Sequence, residues 1–221
     1  MASAFMPDSP LLLGHRGTRG SIGIVENTFG AFDLALRSGC DGFEFDVRLS
    51  SDGVAVIAHD PVVQKHEIAK TPAARLSLLY LEDVLVRYAD QAFLNIELKV
   101  PGLGHAVVTT IQKHMSRRCV VSSFLPIVLN EVRNLDNSIA LGFICDDARK
   151  LPQWRDLPCE YVIAHRRLAS CELIESIHTS GRKIFIWTVN SPAAMRQLAQ
   201  AGVDGIISDN PELLCRTLRP R

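Results

Sequence analysis

The 221-residue chain has no excess of charge of either sign, because 24 basic and 24 acidic residues cancel. No global field therefore draws it to nucleic acid or to an anionic membrane. It has no apolar run near the roughly 18 residues needed to span a bilayer. The opening stretch MASAFMPDSPLLLGHRG has no basic segment ahead of its short apolar run, so a secretory leader is not expected. The six cysteines, Cys40, Cys119, Cys145, Cys159, Cys171 and Cys215, form no Cys-x-x-Cys pair and have no metal-ligand spacing. This excludes a zinc module or a dithiol redox motif, and free thiols in a reducing cytoplasm are the expectation. No linker, low-complexity tract or charge run divides the chain, which is read as one domain over 1–221.

What is present is an ordinary globular composition, 47% hydrophobic and 22% charged, and a regular alternation. Strand-like runs fall at 11–16, 42–50, 54–60, 92–100, 118–124, 139–145, 160–165, 183–189 and 203–209. Helical patterns fall at 26–39, 80–89, 104–115, 126–135, 171–181, 192–202 and in PELLCRTL, with the irregular segment 61–79 expected to form a loop over one end. Short buried strands alternating with helices predict an α/β fold with a parallel sheet. About eight such units fit a single-domain TIM-type (β/α)8 barrel, although a doubly wound sheet has the same local signature.

One strand raises a chemical question. GFEFDVRLS, residues 42–50, reads as buried sheet, yet Glu44 and Asp46 point to one side of it. Adjacent buried carboxylates repel, so something polar or positive must face them. Other polar residues also gather at strand ends: His15 and Arg16, His59, Glu97 and Lys99, Ser122 and Ser123, Trp187 and Asn190, and Asp209. A barrel brings the carboxyl ends of its strands to one rim, where active sites are built. Glu44, Asp46 and Glu97 could there hold one divalent cation, and an all-oxygen set suits Mg²⁺ or Ca²⁺ better than zinc. His15 and His59 could act as general acid and base, and Arg16 and Lys99 could neutralise a phosphate. That kit suits phosphodiester cleavage.

Each residue alone also has an ordinary reading. Glu97 pairs with Lys99, His59 sits in a turn, Asn27 or Thr28 caps a helix, and Trp187 packs in the core. His66, His105, His114 and His178 fall on loops or helices and read as surface, whereas His165 ends a strand and has a possible rim role. GTRGSIG (17–23) is neither a dinucleotide nor a Walker phosphate loop. Taken together, the ordinary readings require seven polar groups to reach strand ends by accident.

In order along the chain stand GHRG (14–17), ENT (26–28), GFEFDV (42–47), HD (59–60), IELK (96–99), WTVN (187–190) and GVDGIISDNP (202–211). With these, nearly the whole chain resembles the glycerophosphodiester phosphodiesterase family. The resemblance implies a TIM-type barrel, one divalent cation (Mg²⁺ or Ca²⁺) and hydrolysis of glycerophosphodiesters to glycerol 3-phosphate and an alcohol. It implies catalytic roles for His15 and His59, metal ligation by Glu44, Asp46 and Glu97, phosphate contact by Arg16 and Lys99, and a pocket-wall role for Trp187. The implied partner is a small-molecule substrate, with no nucleic acid and no membrane span. The chain departs from the family pattern at Val25, where proline is usual, at the extra cation Arg19, and in the short segment 61–79. Three alternatives stand beside this reading: a phospholipase D-type cleavage of lysophospholipid or sphingolipid giving a cyclic phosphate, a non-catalytic phosphate-binding barrel, and a barrel enzyme acting on a sugar phosphate. The first would need an apolar approach to the site, for which LSLLYL (76–81) is the candidate.

Overall fold

The structure, a computed structural model, describes residues 9–114 and 118–220. The end of the expected helix at Met115, and the first eight residues of the stretch read as lacking a leader, lie outside the described residues. The elements in order are β1 (Leu11–Gly14), α1 (Phe29–Arg37), β2 (Gly42–Leu49), β3 (Ala55–Ile57), β4 (Val62–Val63), β5 (His66–Glu67), α2 (Leu81–Tyr88), β6 (Phe93–Leu98) and α3 (Gly104–Lys113). They continue with β7 (Cys119–Ser123), α4 (Pro126–Leu135), β8 (Leu141–Cys145), β9 (Tyr161–His165), α5 (Cys171–Thr179), β10 (Lys183–Trp187), α6 (Pro192–Gln200), β11 (Gly205–Ser208) and α7 (Pro211–Leu218).

Eight parallel strands close on themselves in the order β1, β2, β6, β7, β8, β9, β10, β11 and back to β1. Closure decides against the doubly wound alternative. Between β8 and β9 the crossover is a 3₁₀ turn, Leu151–Arg155, rather than an α-helix.

The run at 54–60 is not a ninth parallel strand. Its central part, β3, pairs antiparallel with the far half of β2, Val47 opposite Ile57 and Leu49 opposite Ala55. The reason lies in strand lengths. β1 pairs with β2 only at Gly42 and Phe43, so the rest of that β2 edge is open, and β3 returns along it. This return brings Ala58 beside Asp46, whose carbonyl accepts its N–H at 3.0 Å, and so delivers His59 to the rim.

The core has two parts. Leu13, Phe93, Val120, Ile144, Ile163, Phe185 and Ile207 fill the barrel interior. A larger shell, including Phe32, Phe43, Phe45 and Tyr88, packs between strands and helices. The segment 61–79 folds as the β4–β5 hairpin and two 3₁₀ turns, with Ile68, Ala73 and Leu76 buried against Val56 and Ala58. Leu76 and Leu81 are both 1% exposed, so 76–81 is packing rather than an apolar approach to the site. Among the described residues no helix is long and apolar enough to cross a membrane.

Candidate active site

The turn after β1 is the first piece of the site. A Cβ on Gly14 would lie 1.9 Å from the Gly17 carbonyl, so the chain can fold back there only with glycine. Arg16 and Asn27 both take left-handed backbone, φ 52 and 58, which is strained for arginine and tolerated by asparagine. This conformation aims the Arg16 N–H at Glu44 Oε2, 2.9 Å away. The Asn27 N–H returns to the Arg16 carbonyl at 3.0 Å, and its Nδ2 donates to Asp46 Oδ2 at 2.8 Å. Thr28 caps α1, its side chain accepting the Ala31 N–H, while Glu26 binds Arg16 Nη1 at 2.5 Å and Arg19 Nε at 2.7 Å. The amides of Arg19 and Gly20 are taken by the Asp209 carbonyl, so the glycine-rich loop braces the rim and leaves those groups no phosphate to bind.

The second piece is the acidic triad. Glu44, Asp46 and Glu97 each offer a carboxylate oxygen within 4.8 Å of the others, and all three are buried. Register explains the meeting: on neighbouring strands Asp46 lies opposite Glu97, and Glu44 is two residues back on the same face. Lys99 Nζ is 3.2 Å from Asp46 Oδ1 and 2.5 Å from Glu97 Oε1, and Arg16 Nε is 3.2 Å from Asp46 Oδ2. Burial acts to raise the Asp46 pKa, but Lys99, Arg16 and Asn27 outweigh it and hold the group below the usual carboxylate range. Burial, then the charges of Asp46 and Glu97, push Glu44 well above that range. Glu97 is pushed up to about 7 by burial, with Lys99 opposing and Asp46 reinforcing.

Ionised together, as ligands of a cation must be, the three carboxylates outnumber Lys99 and Arg16 by one negative charge in a buried place. A divalent cation would reverse that sign to one positive, matching a phosphodiester monoanion. The donor set fits such an ion, being all carboxylate oxygen. Glu44 Oε1 supplies the independent observation: it is buried and has no hydrogen-bond partner among the described residues, which suits a cation ligand.

The third piece is the pair of histidines. His15 Nδ1 lies 2.7 Å from Asp209 Oδ1, and its Nε2 faces Glu44 Oε2 at 3.8 Å. Asp209 is itself held by Asn190, whose Nδ2 donates to Asp209 Oδ2 at 2.6 Å. Asn190 Oδ1 in turn accepts the Ser208 hydroxyl at 3.0 Å and the Asp209 N–H at 2.9 Å. His59 has the same design in the open: its Nδ1 meets Asp60 Oδ1 at 2.8 Å, and the Arg48 Nε–H holds its carbonyl at 2.7 Å. A carboxylate only accepts, so both Nδ1 atoms carry hydrogen and both Nε2 atoms are left for proton transfer.

These pieces line one cavity of about 120 Å³, with His15, Arg16, Glu44, His59, Asn95, Glu97, Lys99, Phe124 and Trp187 in its wall. Asp46 is the one expected site residue that does not reach the wall; it lies beneath, 1% exposed. Trp187 packs edge-on against Phe124 and His165, ring centres 5.6 and 5.2 Å apart, and donates its indole N–H to the Ile163 carbonyl. His165 therefore supports the wall behind Trp187. Ser122 and Ser123 satisfy Asn95 Oδ1 and the Leu98 carbonyl and are structural. The ordinary histidine readings hold for exposed His66 and His105. His178 instead pairs with Asp204 at 2.9 Å. Asn95 was not singled out from sequence; its position at i−2 from Glu97 was the available signal.

Chain-wide comparisons agree with this geometry. Residues 15–87 and 95–213 match the glycerophosphoryl diester phosphodiesterase family. The chain is 31% identical to a glycerophosphodiester phosphodiesterase of Caldanaerobacter subterraneus subsp. tengcongensis, over 95% of this chain and 98% of that one. Among solved structures it resembles an Oleispira antarctica phosphodiesterase in complex with the product sn-glycerol-3-phosphate, with TM-score 0.83 and 26% identity over 95% of this chain and 96% of that one. A Thermotoga maritima glycerophosphodiester phosphodiesterase gives TM-score 0.81 and 26% identity over 94% and 97%. The chain belongs to the glycerophosphoryl diester phosphodiesterase family.

Proposed function

We propose that this hydrolase cleaves glycerophosphodiesters to glycerol 3-phosphate and a free alcohol, with His15 and His59 exchanging roles as general acid and base. The observation that carries the reading is the buried, partnerless Glu44 Oε1 inside a carboxylate triad faced by His15. Glu44, Asp46 and Glu97 would hold one divalent cation, Mg²⁺ or Ca²⁺ by donor type. Bound there, such an ion supplies Lewis-acid polarisation of a phosphoryl oxygen and of a neighbouring hydroxyl.

The chain's own groups do the rest. Lys99 and Arg16, each tied to a carboxylate, present fixed positive charge to the phosphate and exclude a second orientation. The glycerol hydroxyl beside the phosphate attacks phosphorus near the triad. The Nε2 of one histidine takes its proton while the Nε2 of the other protonates the leaving alcohol. Water then opens the cyclic phosphate to glycerol 3-phosphate, with the two histidines exchanging roles. Asp209 and Asp60 stabilise each imidazolium while it exists and fix its ring. Trp187 and Phe124 form an apolar wall beside the reacting groups. The scattered cysteine spacing is the ground for placing this chain in a reducing cytoplasm.

Product identity tests the orientation. Glycerophosphocholine incubated with the protein and Mg²⁺ or Ca²⁺ should yield glycerol 3-phosphate and choline. Release of glycerol and phosphocholine would refute the proposed placement of the glycerol.

A further inference from the structure

Asn95 is a polar break in an apolar floor. It precedes Glu97 by two residues on β6, so both side chains point into the barrel, and it lines the cavity with Ile144, Ile163 and Ile207. It is 1% exposed. Its Oδ1 accepts the Ser122 hydroxyl at 2.7 Å, which fixes the amide plane. Its Nδ2 has no hydrogen-bond partner among the described residues. Glu44 and Asn95 are opposite each other in the β2–β6 register, both line the same cavity, and each carries one buried atom without a hydrogen-bond partner among the described residues. One is a bare acceptor suited to a cation; the other is a bare donor, which suits only a ligand oxygen.

Position says which oxygen. Asn95 lies about 7 Å deeper along β6 than Glu97, and Lys99 lies as far beyond on the open side. With the phosphate at Lys99 and Arg16 and the attacking hydroxyl at the triad, the remaining end of the glycerol reaches Asn95. Below Asn95 the floor is closed packing, Ile144, Ile163 and Ile207 being buried in the barrel interior, so no alkyl chain fits beneath. Resting on the hydrolase reading above, we infer that the Asn95 amide donates to the terminal hydroxyl of the glycerol moiety and makes the site select a free glycerol end over a shorter or acylated diol.

The test is a competition in one tube between glycerophosphocholine and the phosphocholine diester of ethylene glycol. The second keeps the attacking hydroxyl and lacks only the terminal hydroxymethyl group. A ratio of kcat/KM values measured this way does not depend on how much enzyme is folded. The wild-type protein should favour the glycerol diester about 10- to 100-fold, because the shorter substrate leaves a buried donor unpaired. Asn95→Leu, and Asn95→Ser as the less intrusive change, should bring the ratio close to one. A 1-acyl glycerophosphocholine should be a poor substrate for the wild-type protein. Equal wild-type rates on the two diesters, a wild-type ratio in both variants, or rapid cleavage of the acylated diester would overturn the assignment of Asn95. Cleavage of neither diester by the wild-type protein would overturn the hydrolase reading beneath it.

Discussion

Replacing Asp209 by asparagine changes one atom and, on this geometry, the tautomer of a catalytic histidine. Asp209 accepts from both sides: His15 Nδ1 at 2.7 Å and Asn190 Nδ2 at 2.6 Å. Asn190 cannot turn over, because its Oδ1 is fixed by the Ser208 hydroxyl and the Asp209 N–H. An asparagine at 209 must therefore keep its carbonyl toward Asn190 and present its NH₂ to His15. The imidazole then accepts at Nδ1 and carries its proton on Nε2, the atom that has to receive one. The negative charge that stabilises the imidazolium disappears at the same time. Loss of one acid–base group costs about 10²–10⁴-fold in rate, and the same exchange beside a serine-protease histidine costs about 10⁴. The assay is kcat on glycerophosphocholine for wild type, Asp209→Asn and His15→Ala, with metal affinity by calorimetry as the control. We expect Asp209→Asn to fall most of the way to His15→Ala with metal affinity kept. The ¹⁵N shifts of His15 should report the exchanged tautomer. A variant with near wild-type kcat would refute the orientation argument.

Other substitutions probe the remaining groups. His59→Ala should lose about 10²–10⁴-fold in kcat while its melting temperature holds, because the His59 side chain is partly exposed and its ion pair is with an exposed aspartate. Glu44→Gln should weaken divalent-cation binding by at least tenfold by calorimetry; unchanged affinity would remove Glu44 from the ligand set. Glu97, pushed to about 7 by burial, predicts a sign. Between its ordinary 4.5 and 7 the folded protein keeps a proton that the unfolded chain releases, so metal-free stability falls as pH rises through that window and levels above it. Thermal melts in EDTA at several pH values should show this fall in wild type and a smaller one in Glu97→Gln; equal slopes would contradict it. Gly14→Ala should unfold the rim turn and lower the melting temperature, since its Cβ would meet backbone.

Much of the site was legible because strand periodicity alone puts Glu44 with Asp46 and Glu97 with Lys99 on shared faces. The barrel was legible from alternation, but not its closure, which rests on two short pairings of β1 that no local pattern encodes. The run at 54–60 misled because antiparallel and parallel strands share one hydrophobic signature; only the unpaired edge of β2 decides. The apolar letters of 76–81 likewise say buried without saying against what. Asp209 and Asn190 were visible as polar strand ends. Their link to His15 was not, because it joins residues 194 positions apart. Asn95 escaped because a neutral amide in a strand poses no charge repulsion to explain, although its spacing of two from Glu97 placed it on the same face.

The central claim is that a carboxylate triad and two histidines make this barrel a cation-dependent phosphodiesterase. Phosphorus NMR of glycerophosphocholine with the purified protein tests it most directly, first in EDTA and then with Mg²⁺ or Ca²⁺ added back. The account predicts no change in EDTA, and growth of the glycerol 3-phosphate resonance once the cation is restored. Undiminished turnover in EDTA, or none with either ion, would contradict it.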